Sequence, residues 1–185
     1  MEWLAAFLGN PGRKYAHTRH NIGFLTGDIV ARRLGVRFKK LRFGGVCAES
    51  GNVLLLKPQL YMNCSGQSVC AASAHYRLPP ERVLAVYDDV SLPPGKLRVR
   101  KGGGSGGHNG VKDIITRMGS EGFPRVRIGI GAKPRPDIEL IDWVLGVLTK
   151  EERAVLDTAL PLAASAVLAV FADGVEAAMN TYNSC

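Results

Sequence analysis

The chain has 185 residues, of which 46% are hydrophobic and 22% charged, with a mean hydropathy of +0.02. These values exclude a disordered or fibrous chain and fit one globular domain, 1–185, large enough to bury a substantial core. Against 16 acidic residues stand 24 Lys and Arg, a net charge of +8, and the concentration of Arg32, Arg33, Arg37, Lys39, Lys40 and Arg42 without an acid among them points toward a polyanionic partner.

Strand patterns fall at Trp3 to Leu8, Val46 to Glu49, Val53 to Lys57, Val83 to Tyr87, Lys96 to Arg100 and Arg125 to Ile130, with Ser50-Gly51-Asn52 turning the second into the third. Between them, Asn21 to Leu34 sets Ile22, Leu25, Ile29 and Leu34 near one helical face. Ser65 to Tyr76 follows an Asn or Ser cap, and Asn109 to Met118 carries Val111, Ile114, Ile115 and Met118. From Glu151 an Ala-rich stretch reads as helix that Pro161 should bend or divide. The prolines of KPRPD, 133–137, mark an extended surface loop. Strands alternating with helices predict an α/β globule with a twisted mixed, mostly parallel sheet and helices on both faces. In such sheets ligands bind beyond the carboxyl ends of strands.

The opening MEWLAAFLG has no basic segment or cleavage site and reads as a core strand. The apolar run Leu160 to Phe171, broken by Pro161 and Ser165, is too short to span a bilayer. A cytoplasmic protein without a membrane partner is expected. Cys47, Cys64, Cys70 and Cys185 form no CxxC pair and no zinc spacing, so free thiols in a reducing compartment are expected, with no metal and no disulfide.

The stretch KGGGSGGHNG, 101–110, holds six glycines. Gly102, Gly104 and Gly107 match GxGxxG, but RVRIGIG lacks the acid that would hold a ribose, and the loop lies far from a first βαβ unit. Ser105 sits in GxSxG, yet the only later histidine is His108, three residues on, which leaves no ordered triad. No HExxH occurs among His17, His20, His75 and His108. What remains is a cradle of bare backbone that lets a substrate lie against main-chain N–H groups, with Asn109 at its lip.

Three other segments stand where a sheet of this class binds ligand. GNPGRKYAHTRHNIGF, 9–24, brings Asn10, Tyr15 and His20; PQLYMNCSG, 58–66, brings Tyr61, Met62 and Asn63; YDDVSLPPG, 87–95, brings Asp88. Hydrolysis at neutral pH needs a base, a group that orients it and favours its protonated form, and amides that hold the substrate and its developing charge. His20, Asp88, and Asn10, Asn63 and Asn109 supply those parts in turn.

At these residues the chain resembles the bacterial-type peptidyl-tRNA hydrolases, along essentially its whole length, from GNPG and YAHTRHNIGF through YMNCSG, YDDVSLPPG and GGSGGHNGVKDI to AMNTYN. The resemblance implies a single α/β domain, a monomer that needs no cofactor, and hydrolysis of the ester joining a peptide to the 3′ ribose of tRNA. It implies His20 as the base that activates water, Asp88 as the partner of its imidazole, and Asn10 as a positioning amide that helps distinguish blocked from free aminoacyl ends. Tyr15, Tyr61, Met62, Asn63 and Asn109 would contact the peptide and the acceptor end, Asn109 also the water or oxyanion, and Arg100 and Arg127 would meet tRNA phosphate. Thr26-Gly27 departs from the usual apolar pair in the first helix, and no Lys or Arg follows Arg153. Weight for tRNA contact therefore moves to Arg32 to Arg42, Arg98 to Lys101 and Lys133 to Arg135.

Overall fold

A computed structural model describes residues 1–184. Seven strands form: β1 (Trp3–Phe7), β2 (Lys40–Arg42), β3 (Gly45–Ser50), β4 (Val53–Pro58), β5 (Val83–Asp89), β6 (Leu97–Arg100) and β7 (Arg125–Gly129). The helices are α1 (Ile22–Arg33), α2 (Ser65–Tyr76), α3 (Asn109–Met118), α4 (Leu140–Leu145), α5 (Lys150–Asp173) and α6 (Val175–Tyr182). All strands join one sheet in the order β2-β3-β4-β1-β5-β7-β6.

Every residue of β1 is buried, as a strand covered on both faces requires. Alternation sends Trp3, Ala5 and Phe7 into one core with α1, α5 and α6, and Leu4 and Ala6 into the other with α2 and α3. The expected mixed sheet forms, and its parallel character belongs to its centre. β4-β1, β1-β5 and β5-β7 are parallel, whereas β2-β3, β3-β4 and β7-β6 are antiparallel.

Several boundaries differ from the sequence pattern. Pro161 lies inside a continuous 24-residue α5, and the division falls at Gly174, whose φ of +87° separates α5 from α6. Proline costs a helix interior about 3 kcal/mol. Leu156, Leu160 and Val167 on both sides of Pro161 are buried on the sheet, at about 1.5–3 kcal/mol each, which outweighs that cost. By length and composition α5 is the one helix among the described residues able to cross a bilayer, with a mean hydropathy of 1.9. The helix is longer than the interrupted run the sequence displays, and here its buried side covers the sheet.

β2 and α4 carry no clear sequence signal. β2 is short and charged and forms by pairing with β3. Gly27, at an unfavourable mid-helix position, has a packing reason: a Cβ there would lie 2.7 Å from the Phe7 ring. At the far edge of the sheet, the Asn183 carboxamide behaves like one residue of strand. It accepts the Val99 N–H at 2.7 Å and donates to the Val99 carbonyl at 3.2 Å. Cys47, Cys64 and Cys70 are free thiols; Cys185 lies outside the described residues.

Candidate active site

Between β1 and α1 the chain passes two 3-10 turns, Arg13–Tyr15 and Arg19–Asn21; the second is buried throughout and feeds α1. Its flanks are fastened at both ends. Asn21 accepts the Asn10 N–H at 2.8 Å and donates to the Asn10 carbonyl at 2.9 Å. Arg19 forms a two-pronged pair with Glu152, at 2.9 and 2.8 Å, and its guanidinium stacks 3.7 Å from the Trp143 ring centroid. Glu152 also closes the capping box of α5 with Thr149. His20, between these anchors, has little freedom of position.

His20 Nδ1 lies 2.8 and 3.0 Å from the two oxygens of Asp88, 68 residues along the chain near the end of β5. A second imidazole joins them: His108 Nε2 is 3.2 Å from Asp88 Oδ1, and the two rings are 4.8 Å apart. Both tautomers follow from the partners. An ionised carboxylate only accepts, so a neutral His20 carries its proton on Nδ1 and leaves the Nε2 lone pair unused. Nε2 has no partner among the described residues, yet no described buried side-chain nitrogen is left without one, so this lone pair reaches the cleft. His108 caps α3, its Nδ1 accepting the Val111 N–H at 3.3 Å, and its proton therefore sits on Nε2, toward Asp88.

Burial would raise the Asp88 carboxyl, but the charges of His20 and His108, and their hydrogen bonds, prevail and hold it well below the ordinary carboxylate range. Burial also holds the His108 imidazole below its ordinary value, with Asp88 opposing in part. The carboxylate thus stays ionised while His108 stays neutral.

A cleft of about 430 Å³ opens over this cluster. Its floor includes His20, Asp88 and His108, and one wall is the glycine loop from Gly102 to Gly107 with Asn109. Gly103, Gly106 and Gly107 hold φ of +133°, +57° and +83°, conformations that side chains resist. Arg100 and Arg127 line the same cleft, and Leu140, Ile141 and Val144 of α4 close it opposite. Arg127 is not a free cation: its Nε donates to Asp89 and its Nη2 to Ser91.

The other residues singled out in the sequence lie beside the cleft rather than in its lining. Asn10 is buried, and its Oδ1 accepts the Met62 N–H at 2.8 Å, which fixes the carboxamide orientation. Met62 is the spacer to α3, since a Cβ at Gly110 would lie 2.6 Å from its sulfur. Tyr15 is half-buried under Lys14, while Tyr61 and Asn63 are exposed near Met62. Sequence reasoning missed His108 as a partner of Asp88, Asn21 as the clasp on Asn10, and the α4 wall. Only His108 left a readable trace, a histidine just before a helix that begins with an asparagine.

His20, Asp88 and His108 are also the one group among the described residues whose ligand atoms gather closely enough to suggest a metal, within 4.8 Å. The hydrogen-bond pattern does not fit a resident ion. A metal on His108 Nε2 would require the proton on Nδ1, where it would oppose the Val111 N–H.

The family model described as peptidyl-tRNA hydrolase matches residues 4–185. The peptidyl-tRNA hydrolase of Symbiobacterium thermophilum is 46% identical over 190 residues, covering 100% of both chains. That of Clostridium botulinum is 44% identical over 98% of this chain and 96% of its own. Among solved structures, the crystal structure of peptidyl-tRNA hydrolase from Acinetobacter baumannii superposes with a TM-score of 0.91 at 39% identity, over 98% of this chain and 94% of that one.

Proposed function

The chain belongs to the peptidyl-tRNA hydrolase family, and from that premise we propose that it cleaves peptidyl-tRNA with His20 as the general base. The enzyme is a hydrolase acting on the ester between a peptide and the 3′ ribose of tRNA. In the proposed step His20 Nε2 takes a proton from water, whose oxygen attacks the ester carbonyl. The bond to the ribose oxygen then breaks, and the proton passes to that oxygen, releasing a peptide carboxylate and intact tRNA. Asp88 holds the Nδ1 proton and favours the imidazolium that forms. The observation that carries this reading is the 2.8 Å contact of His20 Nδ1 with a carboxylate kept ionised, with Nε2 turned to the cleft.

Asn109 and N–H groups of the glycine loop are suited to the tetrahedral oxyanion, since both border the cleft that His20 enters. Asn10, with Met62, Asn63, Tyr15 and Tyr61, would receive the peptide and the acceptor end. Arg100 is the exposed cation at the rim, and Arg127, held by Asp89, would present a partly neutralised guanidinium to phosphate. We read residues 1–185 as one domain, a reading supported by a single sheet with a core on each face, and as a cytoplasmic monomer that needs no cofactor.

The test is hydrolysis of N-acetyl-aminoacyl-tRNA against free aminoacyl-tRNA by the purified protein, without added metal, over a range of salt. The blocked substrate should be cleaved preferentially, and its KM should rise steeply with salt as phosphate contacts weaken. His20→Ala should remove nearly all turnover with tRNA binding retained. Near-normal turnover by that variant on purified substrate would refute the assigned base.

A further inference from the structure

Arg125, in β7, is the largest fully buried side chain among the described residues, 2% exposed. Among the described residues it has no carboxylate within ion-pair reach. The other buried arginine, Arg19, has Glu152, and Arg127 on the same strand has Asp89. A buried cation without a counter-charge is costly and is kept only where its hydrogen bonds have a use.

Those bonds all end on main-chain carbonyls. Nη1 donates to Gly104 at 2.6 Å, Nη2 to Glu121 at 3.3 Å and Nε to Phe123 at 3.4 Å, while the guanidinium stacks 4.4 Å from the Phe123 ring centroid. Gly103 N–H also donates to the Glu121 carbonyl, at 3.0 Å. One guanidinium therefore clasps the glycine loop to the segment leading into β7. Inside the loop the Ser105 carbonyl accepts the His108 N–H at 3.0 Å and its hydroxyl the Gly107 N–H at 3.4 Å. The clasp adds to these against a backbone ordering cost of about 1–2 kcal/mol per residue, largest for glycine.

The planar trans peptide turns this clasp into a direction. With the Gly104 carbonyl drawn to Arg125, the Ser105 N–H across the same peptide points the opposite way, away from the guanidinium. That N–H has no acceptor among the described residues, and Ser105 borders the cleft that His20, Asp88 and His108 line. Tyr87 extends the contact inward, its hydroxyl near Arg125 and its ring 4.7 Å from that of His108.

Resting on the hydrolase reading above, we propose that Arg125 is a positioning residue for the reaction: it orients the Gly104–Ser105 peptide so that the loop offers a fixed N–H to an anionic oxygen of the substrate. That oxygen is either the one developing on the ester or one on a terminal phosphate.

The experiment compares wild type, His20→Ala, Arg125→Lys and Arg125→Met on N-acetyl-aminoacyl-tRNA, with kcat and KM measured separately and amide exchange followed at Gly103 to Gly107. Cleavage by wild type and its loss in His20→Ala tests the parent reading independently of Arg125. Arg125→Met should speed loop exchange and lower kcat about 10²-fold, the scale of one oxyanion donor, and Arg125→Lys should restore part of the loss. A fall in kcat at steady KM assigns the ester oxygen, and a rise in KM at steady kcat assigns a phosphate. If the Met variant does not fold, the Lys variant carries the test alone, because it keeps the charge and loses the fork. A folded variant with wild-type kcat and KM, or with loop amides exchanging as slowly as in wild type, overturns the proposal.

Discussion

Asp88→Asn isolates the charge of the cluster from its shape. In the wild type one carboxylate receives two N–H groups, His20 Nδ1 at 2.8 and 3.0 Å and His108 Nε2 at 3.2 Å. The amide keeps one acceptor and gains a donor, so one imidazole must face an N–H. If His20 yields, its proton moves to Nε2 and the lone pair leaves the cleft. If His108 yields, its cap on Val111 is lost. In either case the imidazolium formed during water attack loses its counter-charge, worth about 1.5–3 kcal/mol for each charged hydrogen bond. Two such bonds amount to about 3–6 kcal/mol, or roughly 10²–10⁴ in kcat at 1.36 kcal/mol per decade. The corresponding change in the serine-protease triad costs about 10⁴. Stability should move far less, because the amide also removes a buried charge from an apolar setting. Single-turnover release of labelled N-acetyl-amino acid, beside urea unfolding of the same preparation, reads both quantities. Turnover within about tenfold of wild type in a folded variant would show that Asp88 only shapes the site.

Asn21→Ala leaves the buried N–H and carbonyl of Asn10 without partners, at about 1–3 kcal/mol each, and thermal unfolding should fall by several degrees. Gly23→Ala would place a Cβ 2.3 Å from the Leu8 carbonyl oxygen and 2.5 Å from that of Val86; α1 would have to lift from the sheet, and loss of soluble protein or a drop above about 3 kcal/mol in urea unfolding is expected. The pH dependence follows from two lowered values. His108 titrates lower in the fold than when unfolded, so the unfolded chain takes up its proton first and stability falls as pH drops through about 6.5. Asp88 is also lowered, so its contribution is present above about pH 4 and is lost below that as the folded carboxylate protonates. Urea midpoints at pH 7.5 and 5.5 should differ for wild type and differ less for His108→Asn, and equal slopes in both proteins would contradict the neutral assignment.

The base and its carboxylate were legible because one follows the first strand and the other stands at the carboxyl end of another, in a chain whose strands could be counted, and a sheet of that class brings such ends together. The loop was legible through its glycines, although its anchor was not. Arg125 reads in the sequence as one more cation in a basic strand, RVRIG, and only its burial and its main-chain partners in the fold distinguish it from Arg127, which pairs with Asp89. His108 was seen as a helix opener, but its reach to Asp88 depends on how α3 docks on the sheet. The α4 wall escaped because LIDWVL is short and follows a proline-rich stretch, so it lacks the repeated period that marks longer helices. Pro161 misled in the opposite direction, since local propensity at that position yields to a long buried face.

The carboxamide of Asn183, set against Val99, also governs how the molecule meets its own copies. An unpaired outer strand is a template on which another chain can stack, and here a single side chain near the C-terminus occupies that template. Shortening the chain before this residue, or displacing it with a bulky fusion, would bare the outer edge of β6 and favour self-association along the same strand whose Arg100 lines the cleft.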